Sequence, residues 1–154
     1  MSQPTPERRL ASFLARYDPR IAACARSARR RLRALLPGAV ELVYDNYNAL
    51  VIAFGPTERP SDLVLSIALY SRWVTLFFAE GARLSDPRGM LAGSGKHVRG
   101  LILDTAALLE TPAVRALIAQ AWRRSSAPAG AGAKRKVIIQ SVSTKQRPRR
   151  PPKP

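Results

Sequence analysis

The run Leu63-Val-Leu-Ser-Ile-Ala-Leu-Tyr-Ser-Arg-Trp-Val-Thr-Leu-Phe-Phe78 decides the fold class. Leu63, Leu65, Ile67 and Leu69 alternate with Val64, Ser66, Ala68 and Tyr70. Val74, Leu76 and Phe78 then alternate with Trp73, Thr75 and Phe77. A period of two puts one set of side chains on each face of a strand. The two runs flank Ser71-Arg72, too short a connection for anything but a hairpin, so the sheet they start is antiparallel.

Working outward, Val40–Tyr44 and Tyr47–Phe54 are rich in β-branched and aromatic residues and read as strand. Asp45-Asn46 lies between them as a tight turn or as a bulge in one bent strand. Gly55 to Asp62 reads as a loop, and Gly81 to Lys96 as a longer, Gly-rich one with a helical turn at Pro87–Leu91 behind Asp86. Val98–Leu103 is a further strand. Thr5-Pro6-Glu7 and Asp18-Pro19 are helix starts, a capping side chain followed by Pro at the first helical position. They predict helices over 6–17 and 19–36, with Pro37-Gly38 as the stop. Ile21, Cys24, Ala25, Ala28, Leu32 and Leu35 form the apolar stripe of the second helix, and Arg26, Arg29, Arg30 and Arg33 fall opposite. Thr111-Pro112 opens a last helix that buries Val114, Leu117, Ile118, Ala121 and Trp122. The expected fold is α+β: a mostly antiparallel sheet of about five strands, with N- and C-terminal helices packed on one face.

The 154 residues suffice for one domain, and 46% apolar residues supply its core. The net charge of +16 is unevenly spread: eight of the 26 basic residues and none of the ten acidic ones lie in 125–154. Residues 1–124 therefore read as the folded domain. Residues 125–154 read as a flexible, mostly disordered, Pro-rich basic tail, in which Val137–Val142 alternates well enough to form a strand on contact with something. Its cations Lys134, Arg135, Lys136, Lys145, Arg147, Arg149 and Arg150, with Lys153, suit nucleic acid or another polyanion. One Cys and one His exclude a disulfide framework, a thiolate zinc cluster and a multi-histidine metal site. No apolar run reaches the ~18 residues of a membrane span, and the first residues lack the apolar region of a secretory signal. The expectation is a cytoplasmic protein with no cofactor, no metal and no membrane partner.

Two stretches carry candidate chemistry. Tyr44-Asp45-Asn46-Tyr47-Asn48 is the densest polar and aromatic cluster, where Asp45 and Asn48 could bond a ligand between Tyr44 and Tyr47. The same residues also serve a plain turn. Gly89 to Lys96 resembles a phosphate loop only superficially: Met90 stands where the pattern needs Gly, and His97 where it needs Ser or Thr. A milder reading is an anion nest of Gly93, Ser94 and Gly95 beside Lys96 and Arg99, against a tight connection that merely uses glycine. His97 has no nucleophile and supporting acid near it in sequence, and Cys24 reads as a small buried hydrophobe.

Taken together, Tyr44–Phe54, Leu76–Gly81, Leu84–Pro87, Leu91–Arg99 and Pro112–Ile118 resemble the YdhG-like family of small bacterial domains of unknown function over roughly residues 10–124. The segment Val137–Arg150 looks like an extension seen in a subset of relatives. The resemblance implies an α+β sandwich with no established catalytic residues. One branch of that family has been likened to frataxin, which delivers iron; that role needs an acidic ridge, whereas the first two helices here are rich in arginine. The leading expectation is a non-enzymatic binding module, its pocket lined by Tyr44–Asn48 and Gly93–Arg99 and its tail on nucleic acid. The rivals are an enzyme using Asp45, Lys96 and His97 on a small anionic substrate, and a frataxin-like iron chaperone.

Overall fold

The computed structural model describes residues 3–125 and 135–153. It is α+β, with α1 (Pro6–Ala15), α2 (Pro19–Leu35), β1 (Val40–Asp45), β2 (Leu50–Gly55), β3 (Leu65–Leu69), β4 (Val74–Phe78), β5 (Arg99–Ile102), α3 (Pro112–Arg123) and β6 (Lys136–Val142). The helix starts follow the capping chemistry. Thr5 Oγ1 accepts from Arg8 N, and Asp18 Oδ1 from Arg20 N, each satisfying an amide that the first turn leaves open.

The strands run in the order β5-β4-β3-β2-β1-β6. All neighbours are antiparallel except β1 and β6. Leu50, Ile52 and Phe54 of β2 lie across from Leu69, Ile67 and Leu65 of β3, which lie across from Val74, Leu76 and Phe78 of β4. These residues share one core cluster with Leu10 and Leu14 of α1, Ile21, Ala25, Ala28 and Leu32 of α2, and Val114, Leu117, Ile118 and Ala121 of α3. The hairpin read from the alternation over 63–78 is the β3–β4 pair, and Asp45-Asn46 belongs to a turn: Asn46 N donates to Ala49 O and closes β1 onto β2.

Three expectations need correction. Among the described residues the sheet has six strands, not about five. The sixth comes from the stretch read as a disordered tail, and what it pairs with is the edge of β1, in parallel, with a register shift between Val43 and Tyr44. Val137 and Ile139 lie beside Glu41 and Val43 and pack against the core, which offsets the entropy of ordering a Pro-rich basic segment. Residues 126–134, Lys134 among them, lie outside the described residues. Finally, Pro87–Leu91 is not a helical turn. Both oxygens of Asp86 accept backbone amides, from Met90 and Leu91, and a carboxylate that captures amides in this way replaces the helical bonds.

Candidate functional site

Asp45 ends β1 on the side of the sheet that faces the helices, and it is 1% exposed. A carboxylate there needs a cation, and the sequence supplies it from 104 positions away. Arg149 Nη2 donates to Asp45 Oδ1 at 2.9 Å and to Asn46 O at 2.6 Å, and its guanidinium carbon lies 5.7 Å from the Tyr17 ring centroid. Arg149 is itself 5% exposed. The pair is under-satisfied: among the described residues Asp45 Oδ2 and Arg149 Nε have no hydrogen-bond partner, and Arg16 Nη1 stays 3.6 Å from Oδ2. Below it, Tyr17 Oη donates to Leu69 O at 2.8 Å and accepts from Leu50 N at 3.0 Å, tying the α1–α2 connection to the ends of β2 and β3. Desolvation of that phenol pushes its pKa up.

The chain around Arg149 is held with equal detail. Ser143 N and Gln146 Nε2 both donate to Asp45 O, at 2.8 and 2.9 Å. Arg147 N donates to Tyr47 O at 2.8 Å, and Arg150 Nε to Arg16 O at 3.1 Å, near the C-terminal end of α1, where the helix dipole favours a cation. The segment 143–150 is thus a clasp closed on the β1–β2 turn. What it leaves outward is cationic: Lys145, Arg147 and Arg150 are exposed. Arg147 lies against Tyr47, 48% exposed, with its guanidinium carbon 5.6 Å from the ring centroid.

The structure therefore joins two groups of residues that the sequence kept apart. Asp45 meets Arg149, and Tyr47 meets Arg147 and Arg149, so the space expected to hold a ligand holds the chain's own Arg149. Tyr44 is not part of it: as Asp45's neighbour on a strand it faces the other side of the sheet. Asn48 is exposed in the turn. Sequence reading missed Tyr17, Arg16 and Gln146, which carry no local signal of a role.

The expected pocket of Tyr44–Asn48 with Gly93–Arg99 does not form. Four strand spacings, about 19 Å, separate β1 from β5. Asp45 also pairs in the register row of Leu50, Leu69 and Val74, whereas Arg99 pairs with Phe78 at the other end of the sheet. The Gly93–Arg99 loop is not arranged as an anion nest either. Arg99 Nη1 donates to the carbonyls of Gly95 and Val98, at 2.6 and 2.8 Å, so the loop spends acceptors on its own cation. Gly93 has φ +144, the backbone of a tight connection. Ser94 and Lys96 are exposed there. His97 Nδ1 lies 3.0 Å from Glu80 Oε2, and that bond holds the Glu80 carboxyl below its ordinary pKa. Asp45, Lys96 and His97 therefore do not share a site.

A second cationic cluster lies on α2. Glu41 of β1, fully buried, accepts from Arg29 Nε at 2.6 Å and Arg33 Nε at 2.7 Å, and Glu7 bridges the same two arginines from α1. Both acids are committed to arginine, and no acidic ridge faces solvent on these helices. Among the described residues no group of three or more His, Cys, Asp or Glu is placed to hold a metal, and no helix is long and apolar enough to cross a membrane. No family model, no curated protein and no solved structure matches the chain.

Proposed function

We propose that this protein is a non-enzymatic nucleic-acid-binding module of the YdhG-like type, working in the cytoplasm, and that it presents its basic C-terminal segment as an ordered surface. One observation carries the reading: the buried Arg149–Asp45 pair pins the segment so that Lys145, Arg147 and Arg150 stay exposed on it, Arg147 against exposed Tyr47. Cations on an anchored backbone lose less backbone entropy on meeting phosphates than cations on a free tail. The exposed Tyr47 ring beside Arg147 offers a face for a base to stack on. The absence of an assembled nucleophile, base and orienting acid among the residues singled out for catalysis favours binding over an enzymatic role. The likeness of Tyr44–Phe54 and Leu91–Arg99 to YdhG-like domains supports the family assignment.

The test is fluorescence anisotropy with labelled DNA and RNA over a series of salt concentrations. Each phosphate neutralised on duplex DNA contributes roughly 0.9 to the log–log salt slope. The variant Lys145→Gln/Arg147→Gln/Arg150→Gln in the full chain should lose about 2 to 3 of that slope, with little dependence on sequence. An unchanged slope, or no binding by the wild type at low salt, refutes the proposal.

A further inference from the structure

The arginine cluster on α2 forms a site of its own, at the other end of β6 from the clasp and about 20 Å from it along the strand. Arg26, Arg29, Arg30 and Arg33 line an open groove of about 520 Å³, and Arg135 closes its rim by donating from Nη2 to Arg33 O at 3.1 Å. Buried Glu41 orients two of these guanidinium groups through their Nε atoms, which leaves their outer nitrogens aimed away from the sheet. Those nitrogens hold one carboxylate. Glu7, half-exposed on the first turn of α1, takes Arg29 Nη1 and Nη2 at 3.0 and 2.7 Å and Arg33 Nη2 at 2.9 Å. This two-pronged geometry is the one a guanidinium uses equally for carboxylate and phosphate. Beside it, among the described residues, Arg26 has no acidic partner and Arg30 reaches only Ser27 Oγ at 3.4 Å. Counting Arg135, three guanidinium charges have no carboxylate among the described residues.

We propose that this groove binds linked phosphoryl groups, and that Glu7 holds the place of one phosphate on Arg29 and Arg33 until the ligand displaces it. A single phosphate would gain little, because it would only exchange for the carboxylate. Two or more phosphoryl groups engage Arg26, Arg30 and Arg135 as well, which is where the net attraction comes from. Glu7 swings toward solvent when displaced and stays favourable at the N-terminus of α1.

The two roles of the acid make opposite predictions. If the network is only structural and the groove binds no phosphate, removing Glu7 weakens the fold and tightens neither probe. If Glu7 competes with ligand, Glu7→Gln should tighten binding of inorganic tripolyphosphate to the full chain by roughly fivefold, the effect of one unit charge about 4 Å away in a water-like medium. Arg26→Gln/Arg30→Gln, both exposed positions, should weaken it by roughly tenfold or more, while Arg115→Gln on α3 leaves it unchanged. Isothermal titration calorimetry reads the affinities, and melting temperatures verify that each variant is folded. A short DNA duplex serves as the second arm. Tightening by Glu7→Gln confined to tripolyphosphate assigns the groove to a free oligophosphate, and tightening of both assigns it to a nucleic acid backbone. Failure of Glu7→Gln to tighten either probe, or wild-type affinity in Arg26→Gln/Arg30→Gln, overturns the proposal. The clasp variant leaves α2 intact, so a failure at the groove and a failure at the clasp are read separately.

Discussion

Replacing Arg149 with Ala leaves the Asp45 carboxylate buried without its cation. Removing one member of a buried ion pair costs about 3–5 kcal/mol, because the remaining charge keeps its desolvation penalty. The geometry favours the lower end. Arg16 Nη1 already lies 3.6 Å from Asp45 Oδ2 on a half-exposed side chain and can move in, and the segment 143–150 can detach rather than hold an unpaired charge. Taking about 3 kcal/mol, and about 2–4 °C per kcal/mol for a chain of this size, the melting temperature should fall by about 6–12 °C. The loss should also be local first. If β6 opens as a unit, its amides should exchange with solvent about 100-fold faster, while β3 and β4 change less. Asp45→Asn/Arg149→Met, which removes both charges, should recover at least half of the melting temperature. Breaking the exposed Lys136–Glu58 pair should cost no more than about 1 kcal/mol and provides the contrast. Differential scanning calorimetry and hydrogen exchange read these effects. A shift under 1 °C for Arg149→Ala with unchanged β6 exchange, or a double variant no better than the single one, would refute the clasp as the element that orders the segment.

Tyr17→Phe removes the hydroxyl that bridges Leu69 O and Leu50 N and should cost about 1–3 kcal/mol in chemical denaturation, an unchanged midpoint being the contrary result. The side-chain hydrogen bond from Arg29 holds the Glu7 carboxyl below its ordinary value despite partial burial. A depressed folded pKa stabilises above the ordinary glutamate range and loses that contribution as pH falls through the folded value, so urea midpoints of Glu7→Gln should fall less steeply on acidification than those of wild type. Gly81→Ala would place its Cβ 2.5 Å from Arg99 Cβ and 2.9 Å from Arg99 N, so β5 must shift, at a cost of about 1–3 kcal/mol seen as a lower melting temperature; a neutral outcome would show that the Gly81–Arg99 approach is not tight.

The sequence by itself determined the elements whose causes are local. A capping oxygen acts on amides two or three residues away, so Thr5-Pro6 and Asp18-Pro19 announced α1 and α2. Side-chain alternation across Ser71-Arg72 announced the β3–β4 hairpin, because a two-residue connection admits one kind of pairing. The α+β class followed from those elements alone. The tertiary structure decided whatever depends on a partner far along the chain. Pro and Arg at the density seen in 145–153 read as solvated, since burial of a guanidinium is costly unless a carboxylate waits for it. That carboxylate, Asp45, stands 104 residues earlier in what read equally well as a turn. The distances that separate Asp45 from Lys96 and Arg99 are likewise set by strand order, and the packing of α1 and α2 over β1 brings Glu7 and Glu41 onto one pair of arginines. Charge composition counts arginines, but only the packed fold decides which of them meet an acid and which face water.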